Sequence, residues 1–181
     1  MPHYTVYGGS FDPIHYGHLS LVEHAIGLGY RVILVPAFRH AFGKRSAPFE
    51  HRVRMCELAL AACHVQEQTS VCAIERDMAQ GHGGPIYTYD VLCRLWDKLG
   101  TAPCLLVGPD ITAEWERWHL HRQIDQEFGR LTLPLVRPIR STDIRQHLQT
   151  GIAPEALTTM MPEPVVAYIR AHQLYLDETG A

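Results

Sequence analysis

The chain predicts an α/β fold. The expected form is an open parallel sheet of about five strands with helices on both faces, and a small helical part from about residue 141. Three observations carry this. Apolar runs of strand length alternate with longer runs of helical period along the 181 residues. The strands are separated by helix-length segments, which parallel strands need and hairpins do not. Turn residues gather just after the strands, at Gly8-Gly9-Ser10 and at Gly108-Pro109-Asp110.

In order, Tyr4–Tyr7 is the first predicted strand and Gly17–Leu28 the first helix. Arg31–Val35 is the second strand, cut off by Pro36, and a polar, basic loop runs from Ala37 to Ala47. Pro48 suits the first turn of a helix carrying Val53, Met55, Leu58, Ala59 and Ala62. Val71–Ile74 is a third strand, and Gln80–Pro85 a glycine-rich loop. Thr88–Leu99 is a helix with Val91, Leu92, Leu95 and Leu99 on one face. Pro103–Val107 is the fourth strand, followed by a tryptophan-rich helical segment (Ile111–Trp118) and a short helix (Arg122–Phe128). Leu131–Val136 is the fifth strand, Thr142–Gln149 a helix ended by Gly151, and Val165–His172 the last helix. There is no internal repeat or linker, so one domain over 1–181 is expected.

Composition narrows the function. A net charge of -3 gives no general attraction to nucleic acid or to an anionic membrane. No apolar run approaches the roughly 18 residues that span a bilayer. Met1-Pro2-His3 leads directly into the first strand, so no signal peptide is expected. The five cysteines (Cys56, Cys63, Cys72, Cys93, Cys104) lack CxxC spacing and fall in predicted helices or strands. They are expected to be buried free thiols in a reducing cytoplasm.

In parallel α/β sheets ligands bind beyond the carboxyl ends of the strands. Gly8–His18, the Ala37–Ala47 loop, Gly108–Asp110 and Arg137–Arg145 all fall at such ends. The expected architecture is Rossmann-like, yet both GxGxxG and GxxxxGK[ST] are absent. What stands instead is a strand, a glycine turn and a helix opening with His15 and His18. A helix N-terminus offers unpaired N–H groups and a positive dipole end, so two imidazoles there suit a phosphate. A metal pair is the rival reading, but no HExxH and no third ligand at a recognisable spacing supports it. A structural pair, with His15 capping and His18 packed, is the other.

A second cluster is Arg140-Ser141-Thr142-Asp143-Ile144-Arg145. Ser141 is an expected N-cap and Asp143 suits a first turn, so an ordinary capped helix is the simple reading. Beside the His15 helix, Ser141, Thr142 and Arg145 would instead help surround a polyphosphate. Lys44 and Arg45 make either a solvated basic loop or a clamp on phosphate, with Arg39 and His40 assisting. Tyr87 and Thr88 stand where a helix opens, either packing and capping or meeting a flat heteroaromatic ring. Trp115 and Trp118 divide between core and ligand in the same way.

These segments resemble the nucleotidyltransferases with the HxGH element, and within them bacterial nicotinate mononucleotide adenylyltransferase. Gly8–His18 is similar to the N-terminal motif and Ser141–Arg145 to the C-terminal (S/T)xxIR motif. Tyr87–Leu92 resembles the YTxDTL segment, and Val107–Asp110 with Trp115 the GxD…W segment. Arg52, Met55, Leu58 and Ala59 resemble the RxxMxxLA helix. Pro164, Val165, Tyr168, Ile169, Leu174 and Tyr175 resemble PxxVxxYIxxxxLY.

The resemblance implies adenylyl transfer from ATP to nicotinate (or nicotinamide) mononucleotide, giving a dinucleotide and pyrophosphate in NAD biosynthesis. It implies His15, His18 and Arg145 as catalytic residues. Ser10, Phe11, Gly17, Gly108, Asp110, Ser141 and Thr142 would bind ATP. Gly8, Gly9, Lys44, Tyr87, Thr88 and Trp115 would bind the mononucleotide. Mg²⁺ would arrive with ATP, and no metal cage of the protein's own is implied. The family's PPHK loop is altered here to Arg39–Lys44, and Pro109 stands where alanine is usual. The stretch between Trp118 and Ser141 is short. The resemblance implies that pyridine-side specificity and any homo-oligomer contacts are what this shortening would affect. A phosphopantetheine adenylyltransferase and, less so, a cytidylyltransferase remain alternatives within the superfamily. A non-catalytic nucleotide sensor is the alternative of another class.

Overall fold

In a computed structural model, residues 3–38, 46–80, 84–151 and 153–176 are described, with only the main chain at Asp110. Five strands pair in one parallel sheet: β1 (His3–Gly9), β2 (Tyr30–Pro36), β3 (Thr69–Val71), β4 (Cys104–Val107) and β5 (Arg130–Thr132). Their order is β3-β2-β1-β4-β5. The chain builds outward from β1 to β3, then crosses back to place β4 on the other side of β1. The crevice between the carboxyl ends of β1 and β4 is therefore the topological switch point.

Alternation along the strands assigns side chains to two cores. Tyr7, Val32, Leu34 and Leu106 enter one apolar cluster. Val6, Ile33, Val35, Leu105 and Val107 enter the other. A strand buried on both faces reads as a continuous apolar run, as Val32–Val35 does. The first face is covered by α1 (Tyr16–Gly27), α2 (Phe49–Ala62), α7 (Ser141–Gln149), α8 (Pro154–Thr158) and α9 (Glu163–Ala171). The second is covered by α3 (Ile74–Ala79), α4 (Thr88–Leu99) and α6 (His121–Glu127). Between β4 and α6 lie the one-turn α5 (Pro109–Thr112) and a 3₁₀ turn at Trp115–Arg117.

The structure shifts several expected boundaries. The third strand ends at Val71, and Ile74 opens α3 under the second face, 1% exposed. A short apolar run does not distinguish a strand end from a helix start. The fifth strand is shorter than Leu131–Val136, and Pro134, which has no N–H for the ladder, follows it. The Ile111–Trp118 segment is not one helix but α5 plus the 3₁₀ turn. Pro109 fits as the first residue of α5, where no N–H is needed. Arg140, not Ser141, occupies the cap position of α7. Pro48 caps α2 from outside rather than lying in its first turn. Helices α3 and α8 were not expected; Pro154 at the start of α8 was the signal. All five cysteines are free, but only Cys56 is buried and the other four are half-buried.

Candidate active site

Gly8 and Gly9 end β1, and the chain turns through Phe11 at φ 47° into α1. The Phe11 ring is 1% exposed and packs edge-on against Tyr7 (5.4 Å) and His18 (5.1 Å). A Cβ on Gly9 would lie 3.2 Å from that ring, so the glycine lets the ring fold beneath the turn. The ring belongs to the core, which leaves the main chain of Phe11 for a ligand.

His15 is the N-cap of α1, and His18 completes a reciprocal capping box. The His18 N–H donates to His15 Nδ1 (3.4 Å), and the His15 N–H donates to His18 Nδ1 (3.3 Å). The rings stack with centroids 3.7 Å apart. A Cβ on Gly17 would lie 2.8 Å from His15 Cε1 and 3.0 Å from the Arg137 carbonyl. Glycine at 17 is what lets the two rings close up.

This pairing fixes chemistry. An Nδ1 that accepts cannot carry the proton, so each neutral ring carries it on Nε2 and keeps that N–H as a donor. Burial pushes the His15 pKa down to about 4. Burial first, and neighbouring His15 second, hold His18 well below the usual histidine range. Both rings are therefore neutral donors at pH 7. The structural reading of the pair is thus correct about capping, and it leaves both Nε2–H groups free of that role.

The turn between β1 and α1 is tied to α7. Ser141 Oγ donates to the Pro13 carbonyl (3.0 Å), a tertiary bond in place of the expected cap. Arg145 Nη1 donates to the Asp12 carbonyl (2.8 Å) and lies 3.9 Å from Asp12 Oδ2. Arg145 Nη2 reaches Thr142 Oγ1 at 3.5 Å. The two helix N-termini and His15, His18, Ser141, Thr142 and Arg145 thus form one group. Gly108 follows the last residue of β4, the strand beside β1.

Three residues absent from the expected site complete this turn. Asp12, 5% exposed, accepts the Ala47 N–H (3.0 Å) and the Tyr175 hydroxyl (2.7 Å) on Oδ1. Arg52, 2% exposed, donates from Nε to the Ala47 carbonyl (3.0 Å) and from Nη1 to the Ser10 carbonyl (2.8 Å). All three lay inside recognisable motifs, but spacing gives no sign that they meet.

On the other side of the switch point, Tyr87 caps α4 and Thr88 is its first residue. The Tyr87 ring is 40% exposed and stacks on His119 at 4.0 Å. Trp115 is buried: its indole N–H donates to Asp125 Oδ2 (2.9 Å) and Arg130 covers its ring at 4.2 Å. The exposed aromatic surface here is Tyr87 with His119, a histidine the sequence did not single out. Lys44, with Arg39, His40 and Arg45, lies outside the described residues, as does the side chain of Asp110. Among the described residues no group of three or more His, Cys, Asp or Glu is placed to hold a metal ion.

Comparison with known proteins bears on the family and the fold. The cytidylyltransferase-like family matches residues 6–147. A protein of Anaeromyxobacter dehalogenans named "probable nicotinate-nucleotide adenylyltransferase" is 36% identical, over 93% of this chain and 94% of its own. A Roseiflexus protein of the same name is 33% identical, over 94% of this chain and 96% of its own. The solved structure of Plasmodium falciparum nicotinic acid mononucleotide adenylyltransferase complexed with NaAD superposes with a TM-score of 0.77 at 17% identity. It covers 97% of this chain and 98% of its own, a likeness of fold.

Proposed function

This chain belongs to the nicotinate-nucleotide adenylyltransferases of the cytidylyltransferase-like family, and from that premise we propose that it transfers the adenylyl group of ATP to nicotinate mononucleotide. The products are nicotinate adenine dinucleotide and pyrophosphate, a step of NAD biosynthesis. The observation that carries the reading is the His15–His18 pair, whose two Nε2–H donors stand at one helix N-terminus against the Ser141–Arg145 helix.

In the reaction a phosphate oxygen of the mononucleotide attacks the α-phosphorus of ATP. A new P–O bond forms as the bond to pyrophosphate breaks. The attacking oxygen is ionised at neutral pH, so no general base is needed. Catalysis is positioning and neutralisation of charge. His18 donates to the α-phosphate and His15 to the phosphates beside it. Neutral rings do this without giving up a proton, which suits groups held unprotonated by burial. Ser141, Thr142 and Arg145 hold the β- and γ-phosphates. Ser10, Phe11 and Gly17 line the nucleotide side through the turn, and Gly108 and Asp110 meet the adenosine. Gly8, Gly9 and Lys44 meet the mononucleotide, with Tyr87 and Thr88 on the pyridine side, while Trp115 stays in the core. Mg²⁺ enters as part of the nucleotide substrate, where it neutralises the pyrophosphate that departs.

The chain acts as a single domain, in the cytoplasm. No helix among the described residues is long and apolar enough to cross a membrane. The test is pyrophosphate release from Mg²⁺·ATP with nicotinate mononucleotide, nicotinamide mononucleotide or phosphopantetheine. Release with nicotinate mononucleotide far above the other two supports the reading. Preference for phosphopantetheine, or no release with any acceptor, overturns it.

A further inference from the structure

After α9 the main chain passes through two left-handed positions that are not glycine, Gln173 (φ 51°) and Tyr175 (φ 66°). Residues with side chains adopt this conformation where their surroundings hold them in it. Here Leu174 is buried in the first core, and the Tyr175 hydroxyl donates to Asp12 Oδ1 at 2.7 Å. The detour thus carries a phenol back to the turn between β1 and α1. The same Asp12 oxygen takes the Ala47 N–H, and the Asp12 main-chain oxygen takes Arg145 Nη1. Arg145 Nη1 also lies 3.9 Å from Asp12 Oδ2, outside hydrogen-bond distance.

We propose that Tyr175 is a positioning residue for adenylyl transfer: its hydroxyl fixes the Asp12 carboxylate, and so keeps the Arg145 guanidinium available to the nucleotide phosphates. This rests on the reading of Arg145 given above. A buried carboxylate seeks a full set of donors. With Tyr175 and Ala47 on Oδ1, Asp12 holds Arg145 by its main-chain carbonyl and only loosely by Oδ2. Without the phenol, the nearest strong donor able to replace it is Arg145. A closer Asp12–Arg145 pair would compete with phosphate for the guanidinium. The phenol is suited to the role, since burial and the Asp12 charge push its pKa upward and keep it a donor. Tyr168, within α9 itself, shares a hydrogen bond with His51 Nδ1 at 2.9 Å, which anchors α9 to α2 independently of Tyr175.

Tyr175→Phe tests this, because it keeps the ring and removes only the donor. The wild type is first assayed with Mg²⁺·ATP and nicotinate mononucleotide. Absence of turnover there overturns the adenylyl-transfer reading and this inference with it. With turnover established, Tyr175→Phe is expected to raise KM for ATP about fivefold and leave KM for the mononucleotide unchanged. In an Arg145→Lys background the same change is expected to add nothing to KM for ATP. An unchanged KM for ATP, an equal rise in both KM values, or an undiminished effect in the Arg145→Lys background overturns this inference alone. Asp12→Asn is read in parallel and decides the matter if Tyr175→Phe does not fold. It keeps the side-chain volume and places an amide where Oδ2 faced Arg145. With no carboxylate left to draw Arg145 away, an unraised KM for ATP supports the inference, and a selective rise overturns it.

Discussion

His15 and His18 cap one another: each imidazole Nδ1 accepts the other residue's backbone N–H, with the rings stacked 3.7 Å apart. One arrangement satisfies two orphan donors at the start of α1 and sets the tautomer of both rings. The side chains proposed to meet ATP are therefore also part of the helix's own architecture.

Gly17 permits that arrangement. In Gly17→Ala the new Cβ would meet the His15 ring within 2.9 Å and the Arg137 carbonyl at 3.0 Å. A main-chain carbonyl does not yield as a flexible side chain does. We expect a loss of about 1–3 kcal/mol in urea unfolding together with a large fall in turnover. A variant as stable and as active as the wild type would show that the rings need not stack.

The histidine pair also sets a pH dependence. His15 titrates near 4 in the fold but near 6.5 in an unfolded chain, on the usual value. Between those values the unfolded chain binds the extra proton. Stability is complete above about pH 6.5 and falls as the pH drops toward 4, by up to about 1.4 kcal/mol per unit for each such group. In histidine NMR spectra, the ring signals of His15 and His18 should not move between pH 8 and 5.5.

Glu75 works in the opposite direction. Burial pushes its pKa up to about 7, against the smaller opposing pull of the Phe38 N–H it accepts (2.8 Å) and of Arg52. Between about pH 4.3 and 7 the folded state binds the extra proton at this carboxyl, so its contribution grows as the pH falls. The two slopes offset one another in the wild type. Glu75→Gln, which keeps an acceptor for Phe38, should therefore steepen the loss of stability between pH 7 and 5. Equal slopes in variant and wild type would contradict the assignment.

Arg145→Lys tests the shape of the phosphate contact rather than its charge. The planar guanidinium bonds the Asp12 carbonyl and reaches Thr142 at once, which a point-charge ammonium cannot reproduce. A fall of about tenfold or more in kcat/KM for ATP is expected, with little change in Tm. Retention of wild-type kcat/KM would remove Arg145 from the site.

The order of strands and helices was legible because alternation and helical period are local signals, and Thr88–Leu99 was placed to the residue. The Gly8–His18 and Ser141–Arg145 segments were legible as helix openings for the same reason, and the structure brings them together. What was not legible depends on tertiary contact. Ser141 is an excellent cap by type, yet its hydroxyl goes to Pro13. Trp115 stands in a motif expected to meet a ligand, yet Asp125 and Arg130 enclose it. Asp12, Arg52 and Tyr175 are 40 or more residues apart in sequence, and only folding brings them to one turn.

The half-buried, neutral His18 is proposed to stabilise the transition state as an N–H donor. The direct measurement is kcat of His18→Ala with saturating Mg²⁺·ATP and nicotinate mononucleotide, alongside circular dichroism. Loss of one preorganised donor predicts a fall of about 10²–10³-fold, roughly 3–4 kcal/mol, with the helical spectrum retained. Turnover within a few-fold of the wild type would contradict the account.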